Sequence, residues 1–313
     1  DGFLQENAGN YPSITLSPST TLNFVSLNVA GTNRVSNIVE SPGVADLDTG
    51  ELVNVRTNVT VSAVSSAVNT ELFSGTLVFA GGTTTTSLGS LIRDDSSSLL
   101  SIVKESPGSL ELWNPLNNFG GGVTLRAGTL LVTASGSSNP DDGSILGPYG
   151  RGPLTLDAAA APVSLRFGTS LGSGSYTLYN QTLSLFGPSD LSKSGTISLY
   201  GVNSGDSLVF TSPVLLGAPG ETVYDPVASR LNLNVQNAIE FRSDTSSFVV
   251  AGTVSMSGGG KLTFGSEMGF FTLASFNLQN GTLSLERSAD LTNLSVSGSQ
   301  GIRQLIAGTP YVS

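Results

Sequence analysis

Short segments that alternate apolar and small polar residues recur along almost the whole chain, and this pattern constrains the fold more than any other feature. In each segment Val, Leu, Ile or Phe alternates with Ser, Thr or Asn, which places one row of side chains inward and one outward on a β-strand. Helical spacing is nearly absent, so the pattern predicts an all-β protein. Representative segments are VTLRAGTLLVTAS from Val123, RLNLNV from Arg230 and KLTFG from Lys261.

Glycines mark the starts of many of these segments. A glycine at a corner can adopt a positive φ at little steric cost, and the Thr and aliphatic residue that follow restart a strand. Leu110 precedes Gly128 by 18 positions, and Leu262 precedes Gly281 by 19. An interval of this size favours parallel strands that stack turn upon turn, at ~20 to 25 residues per turn, over an antiparallel sandwich. The Gly-Thr-aliphatic starts lie at Gly75, Gly128, Gly195, Gly252 and Gly281.

The composition excludes several classes of partner and of chemistry. The chain has 13 Lys and Arg against 23 Asp and Glu, a formal charge of −10, so it lacks the basic residues that nucleic acid or an anionic membrane surface would require. No apolar run approaches the ~20 residues that span a bilayer, and we expect no membrane insertion of this chain. His and Cys are both absent from the sequence, which removes Ser-His-Asp triads, Cys nucleophiles and thiolate zinc sites.

One segment resembles a known repeat. Residues 104–132 read KESPGSLELWNPLNNFGGGVTLRAGTLLV. This segment resembles the autotransporter-associated β-strand repeat, although Ser106, Trp113 and Val123 stand where that repeat usually has a glycine, a small residue and a threonine. A fainter copy joins GGGKLTFG from Gly258 to NGTLSL from Asn280. The matching positions are Lys104, Gly108, Leu110, Leu112, Asn117, Phe119, Gly121, Gly122, Leu125, Gly128, Leu130 and Val132.

The resemblance implies a passenger region of an exported bacterial surface protein, extracellular or on the cell surface, folded as a right-handed parallel β-helix. We expect a single elongated domain. Residues 1–33 are less periodic and are predicted to form an N-terminal cap or an exchanged arm, with the β-helix over residues 34–313. Polar stretches rich in Gly, Pro or Asp predict loop excursions near residues 83–99, 134–153 and 215–229.

Several clusters of acidic residues are candidates for a metal site or a catalytic site. Asp46, Asp48 and Glu51 have the spacing that begins some calcium loops, but Thr57 stands where the bidentate Glu of an EF-hand would fall, so a solvated turn is the better interpretation. The pairs Asp94-Asp95 and Asp141-Asp142 lie in predicted loops, where Arg93 beside Asp94 reads as a surface ion pair. We therefore predict no catalytic residue, no metal site and no cofactor.

Three further features have structural explanations that are simpler than functional ones. GGGKLTFG lacks the spacing of a phosphate-binding loop and precedes a strand, so it predicts a β-corner. The Asn-x-Ser/Thr sequons at Asn58, Asn180, Asn280 and Asn293 are interpreted mostly as ladder residues of the strands and not as glycan anchors. Aromatic side chains could line a sugar-binding face, with core or corner packing as the default interpretation. These aromatic residues are Trp113, Phe119, Tyr149, Tyr176, Tyr179 and Tyr200.

Taken together, these patterns favour a structural or adhesive protein that is not an enzyme. Open strand edges at the ends of a solenoid predict association with further copies of the chain, end to end or by strand exchange, into a filament or surface layer. Surface glycans are the other expected partner. The alternative hypothesis is a glycan-binding or polysaccharide-cleaving β-helix, which would need a groove that brings several acids and a basic residue together.

Overall fold

The computed structural model describes residues 14–16, 38–40, 75–79, 85–88, 99–138, 144–217, 229–242, 247–250, 252–265, 270–272, 276–285, 294–296 and 303–307. In these ranges every regular element is a β-strand and none is a helix. The prediction of an all-β fold is therefore confirmed.

Three parallel sheets contain nearly all of the strands. Sheet 1 has eight strands: β3 (Gly75–Phe79), β5 (Leu100–Lys104), β7 (Val123–Leu125), β11 (Leu154–Asp157), β14 (Leu183–Phe186), β17 (Val214–Gly217), β20 (Ser247–Val250) and β23 (Phe270–Thr272). Sheet 2 has nine strands: β4 (Thr85–Leu88), β6 (Ser109–Leu112), β8 (Gly128–Val132), β12 (Val163–Phe167), β15 (Gly195–Gly201), β18 (Ser229–Val235), β21 (Gly252–Ser257), β24 (Phe276–Leu278) and β26 (Leu294–Val296). Sheet 3 has six strands: β13 (Ser175–Leu178), β16 (Ser207–Phe210), β19 (Ala238–Phe241), β22 (Lys261–Phe264), β25 (Gly281–Leu285) and β27 (Arg303–Ala307).

From β11 to β25 the chain visits sheets 1, 2 and 3 in rotation, and each strand from β11 to β22 pairs in parallel with the strand one rotation later. Leu110 pairs with Leu130, and Leu262 pairs with Leu283. The interval between Leu110 and Gly128 therefore does separate neighbouring parallel strands, as predicted.

The turns in the middle of the chain are longer than the predicted ~20 to 25 residues. Val123 pairs with Leu154, 31 positions on, and Thr196 pairs with Asn232, 36 positions on. The added residues lie in connections such as 187–194 between β14 and β15, outside the ladders. Because lengthening a surface connection costs little free energy, the alternating pattern of the strands does not fix the length of a turn.

Inward rows of the three sheets form one buried core. Leu130, Leu165 and Leu199 occupy one register position on sheet 2, and all three are fully buried. On sheet 3 the rings of Phe210, Phe241 and Phe264 stack with centroids 5.7 and 5.5 Å apart. The stacked turns are thus held together by apolar ladders that run across the strands.

Two of the predicted corner glycines illustrate different reasons for a glycine. Gly128 has a φ of 81°, and a Cβ built there would lie 2.2 Å from the Gly108 carbonyl oxygen. Gly195 is not among the positive-φ glycines; a Cβ there would lie 2.7 Å from the Ala158 carbonyl oxygen. Close approach between turns, and not only backbone conformation, therefore selects glycine at these strand starts.

Two strand pairs lie outside the three sheets. β1 (Ile14–Leu16), within the predicted 1–33 segment, pairs in parallel with β2 (Ile38–Glu40). β9 (Ser137–Ser138) and β10 (Ile145–Leu146) form the antiparallel pair, inside the 134–153 segment. The 83–99 segment contains β4, and the 215–229 segment includes the end of β17 and the start of β18. The division of the chain into cap, β-helix and excursions remains a prediction.

Candidate interaction surface

The outward side of sheet 2 carries an unbroken row of small polar side chains. Six consecutive strands place a Ser, Thr or Asn at the same register position, and each of these residues is partly exposed. Adjacent strands in a sheet lie ~4.8 Å apart, so the side chains repeat at that spacing. The row consists of Ser109, Thr129, Ser164, Ser198, Asn234 and Ser257.

A second row runs beside the first, two positions earlier along the strands. Thr196, Asn232, Ser255 and Asn277 occupy it on β15, β18, β21 and β24, again partly exposed. Neither row contains a charged residue, in a chain of formal charge −10. We call the two rows together the amide-hydroxyl face.

The rows make few hydrogen bonds among themselves. Asn234 Nδ2 donates to Ser198 Oγ at 3.4 Å, and Ser257 Oγ donates to Asn232 Oδ1 at 3.0 Å. A hydroxyl group both donates and accepts, and an amide group offers two donors and an acceptor. Of the described row residues, Ser109, Thr129, Ser164, Thr196 and Ser255 make no hydrogen bond through their hydroxyl groups, so these groups can bind a partner on the outward side.

Some outward positions of the other two sheets are less accessible. Ser184 and Leu215 lie at outward register positions of sheet 1 and are each only 7% exposed. On sheet 3, Thr263 and Ser284 also occupy outward positions and are buried. Sheet 3 also has an accessible outward row, but Ala238 and Lys261 interrupt the small polar residues Ser175, Ser207 and Thr282 in it. Of the described strands, those of sheet 2 therefore carry the longest uninterrupted accessible row of small polar side chains.

Mixed side chains flank the amide-hydroxyl face on the side toward sheet 3. Glu111, Leu131, Arg166 and Tyr200 share one register position there. Trp113 follows β6 on the same outward alternation as Ser109 and Glu111, and it is 46% exposed. A large exposed aromatic ring therefore lies near the β6 margin of the surface. Trp113 is also the single tryptophan of the chain.

Polar side chains at the corners between sheets 2 and 3 hold successive turns in place. Asn203 Nδ2 donates to the carbonyls of Thr169 and Gly172 in the preceding turn, at 2.9 and 3.0 Å. Asp206 accepts hydrogen bonds from the backbone N–H groups of Gly174 and Asn203, at 2.8 and 2.7 Å. Each corner is hydrogen-bonded to the corner of the adjacent turn. These bonds fix the register of the sheet 2 strands that carry the outward rows.

Asn237 continues this set one turn later. Its Nδ2 donates to the carbonyls of Asn203 and Asp206 at 2.8 and 3.2 Å, and its Oδ1 accepts from Gly201 N at 2.8 Å. Buried amides of this kind have a structural role because every hydrogen-bonding atom is used between adjacent turns.

Replacing Asn237 with alanine is expected to lower the free energy of unfolding by about 2 kcal/mol, because buried backbone groups lose their partners. The matched control is Asn234→Ala, on the partly exposed outward row of β18, the strand just before the Asn237 corner, for which we expect a change within about 0.5 kcal/mol. Urea unfolding followed by circular dichroism measures both. Equal effects for the two variants would contradict the role assigned to Asn237.

The aromatic residues considered for a sugar-binding face do not share one surface. Phe119 and Tyr149 are fully buried in the core, and the Tyr149 hydroxyl donates to the Leu131 carbonyl at 2.7 Å. Burial and, secondarily, the Glu111 carboxylate raise the pKa of Tyr149 well above the usual value for a tyrosine. Trp113 and Tyr200 remain as aromatic residues on the outward side of sheet 2.

The phosphate-loop-like segment, the sequons and the acidic pairs lie at corners or outside the described residues. Gly258 and Gly260 form the corner between β21 and β22, as the sequence predicts for GGGKLTFG. Asn180 is buried and donates to the Gly152 carbonyl at 2.9 Å, and Asn280 precedes β25. The residues that lie outside the described ranges are Asp46, Asp48, Glu51, Asn58, Arg93, Asp94, Asp95, Asp141, Asp142 and Asn293.

The described residues include no candidate metal site and no candidate membrane-spanning helix. Among those residues, no three Asp or Glu side chains come close enough to hold a metal ion together. Nor does that part of the chain contain a helix long and apolar enough to cross a membrane. Comparison of the chain with family models, curated proteins and solved structures found no match in any of the three.

Proposed function

We propose that the chain is a right-handed β-solenoid, a single elongated domain of the passenger type, exported from a bacterium to act as a structural or adhesive element outside the cell. The observation that carries this proposal is the rotation through three parallel sheets, with each strand paired to the strand one turn later. The right hand follows from the strong preference of parallel crossover connections. The extracellular role rests on the resemblance of residues 104–132 to the autotransporter-associated repeat.

A structural role agrees with the hydrogen bonds that the corner asparagines make between turns. The amides of the buried Asn180 and Asn237 and of the partly exposed Asn203 donate to backbone carbonyls of an adjacent turn. With no His or Cys in the sequence, catalysis would depend on carboxylates and on the few basic residues. One such pair, Arg126 and Glu105, forms an exposed ion pair with a 2.7 Å contact between Nη1 and Oε1. Groups of this kind stabilise a surface and do not form a reaction centre.

Copies of the chain are proposed to associate through their strand edges. In the described residues β23, β26 and β27 each pair with a strand on one side only. An edge strand offers a row of backbone donors and acceptors that another strand can satisfy. By contrast, the other end of sheet 3 is covered: Gly136 N donates to Thr177 O at 2.8 Å, and Thr177 N donates to Ser135 Oγ at 3.1 Å. At the opposite ends of sheets 1 and 2, β3 and β4 also pair with a described strand on one side only, so a head-to-tail contact can join copies through these edges.

Residues 1–24 contain β1, the strand that we propose is exchanged onto an open edge of the next copy, so their deletion is expected to leave a folded but monomeric protein. Deletion of residues 1–12 is the matched control, because it retains β1, and this variant should assemble like the full chain. Light scattering over a concentration series measures the mass of each form, and electron microscopy shows whether filaments form. A full chain that stays monomeric at high concentration would refute the self-association and leave display of an adhesive surface as the function.

A further inference from the structure

We propose that the amide-hydroxyl face of sheet 2 binds an extended, uncharged polysaccharide. This inference deepens the adhesive part of the proposed function and does not depend on end-to-end assembly. The first step is the nature of the surface: two parallel rows of small side chains that end in hydroxyl or amide groups, repeated strand after strand. Such rows match a partner that is itself a linear series of hydrogen-bonding groups.

The lack of charged side chains in the two rows favours a neutral polymer over an acidic one. The ten positions of the amide-hydroxyl face hold only Ser, Thr and Asn, whereas the chain as a whole has 36 charged residues. An acidic polysaccharide or a nucleic acid would meet no cation in the rows themselves, which Arg166 and Arg230 only border, and would be repelled by the net charge of −10. A neutral glycan requires no counter-charge and can exchange its hydrogen bonds with water for hydrogen bonds with the rows.

The margin of the surface supplies the second kind of contact that a sugar ring uses. Trp113 is nearly half exposed just past the end of β6, two residues beyond Glu111, and Tyr200 is two residues from Ser198 on β15. An exposed indole ring costs free energy in water and gains it when an apolar face, such as the C–H face of a pyranose ring, covers it. Hydrogen bonds along the rows with aromatic contacts at the margin therefore fit a glycan strand that lies across the strands of sheet 2.

The strands that carry the rows are held rigidly enough to act as a template. Asn203, Asp206 and Asn237 lock the adjoining corners, and Leu130, Leu165 and Leu199 fill the core beneath the rows. A surface that is already ordered loses little conformational entropy on binding. A repeating partner then gains contacts in proportion to the number of strands that it crosses, so long chains should bind more tightly than short ones.

The test is native gel electrophoresis of the full chain in gels that contain hydroxyethyl cellulose, dextran, galactomannan or, as the acidic comparison, polygalacturonate. We expect at least one neutral polymer to retard the protein and polygalacturonate not to do so. The double variant Ser164→Glu with Ser198→Glu places two charges at paired positions of the first row, and it should bind at least about tenfold more weakly. Emission of Trp113 in solution gives a second, independent reading of binding to the same polymers.

A matched control exists on sheet 3. Ser175 and Ser207 are paired in register on β13 and β16, as Ser164 and Ser198 are on β12 and β15. The variant Ser175→Glu with Ser207→Glu carries the same added charge, so it should be retarded like the wild type, and so should Ser164→Thr with Ser198→Thr. Circular dichroism melting checks that all variants are folded.

Three outcomes overturn the inference. The first is no retardation in any neutral polymer, and the second is equal retardation of the Ser164/Ser198 and Ser175/Ser207 glutamate variants. In the third, light scattering shows that the Ser164/Ser198 variant loses a self-association of the wild type while no glycan binds, which would make this face a contact between copies. Because the deletion of residues 1–24 leaves sheet 2 intact, retardation of that variant shows glycan binding even if end-to-end assembly is refuted.

Discussion

Replacing Phe241 with alanine is expected to lower the free energy of unfolding by about 4 to 5 kcal/mol, because the change empties the centre of an aromatic ladder. The Phe241 ring is fully buried and contacts the rings of both Phe210 and Phe264, which belong to the turns before and after it. The truncation thus creates a cavity and removes the aromatic link between three turns. Urea unfolding followed by far-ultraviolet circular dichroism measures the loss.

The control for this variant is Glu240→Ala on the same strand. Glu240 faces outward and forms a partly exposed ion pair with Arg242, whose loss is worth at most about 1 kcal/mol. Since stacked turns contact only their neighbours, hydrogen exchange in Phe241→Ala should rise most in β16, β19 and β22 and least in β7 and β8. Equal losses for the two variants, or uniform exchange along the chain, would contradict a local aromatic ladder.

The class of fold could be predicted from the sequence because strand formation here is a local property. Alternation in RLNLNV sets one face of β18 inward, and the buried Leu231, Leu233 and Val235 follow it. The interval from Leu262 to Gly281 predicted parallel stacking because the turns at this point are short and contain few residues outside the strands. Where the corners are longer, as between Thr196 and Asn232, no fixed interval exists in the sequence.

The positions of single polar and aromatic side chains were harder to predict. Trp113 could have been placed outward, since it continues the alternation after the buried Leu110 and Leu112. Tyr149 could not, because it lies in an irregular segment whose path depends on contacts with distant residues such as Leu131. A local pattern determines which face of a strand is buried, whereas tertiary contacts determine where an irregular segment packs.

The amide-hydroxyl face shows the same limit. Each strand reveals its own outward Ser, Thr or Asn in the sequence, but the alignment of Ser164 with Ser198 depends on register. Register is set by the corners, where Asn203 and Asn237 select particular carbonyls of the neighbouring turn. The capacity for hydrogen bonding is therefore visible in the sequence, and its arrangement in rows is visible only in the fold.

Lys104 is a basic side chain buried in the described part of the chain. Its side chain is 2% exposed, and its ammonium group donates to the hydroxyl of Ser106 at 2.6 Å and to the Ser106 carbonyl. These partners are neutral, so they compensate only part of the loss of hydration. Burial lowers the pKa of Lys104 from 10.5 to about 8.

This pKa makes the stability of the protein depend on pH in a defined direction. The unfolded chain keeps the Lys104 proton up to about pH 10.4, whereas the folded chain releases it near pH 8, so in this window the unfolded state binds more protons. Stability therefore rises with pH, by about 2 kcal/mol between pH 7.5 and 9.5. Above about pH 10 the buried Tyr149 acts in the opposite sense, because its raised pKa keeps it protonated only in the folded chain.

Replacing Lys104 with methionine should abolish this rise, giving a free energy of unfolding that is nearly flat between pH 7.5 and 9.5. At pH 7.5 the variant loses the donor to the Ser106 carbonyl but also the cost of a buried charge, so the two changes partly offset each other. Lys261→Met, at an exposed position of β22, should keep the wild-type slope. Urea unfolding at four pH values across this range measures all three proteins. A slope that survives in Lys104→Met would show that another group controls it and that the Lys104 ammonium remains hydrated in the folded protein.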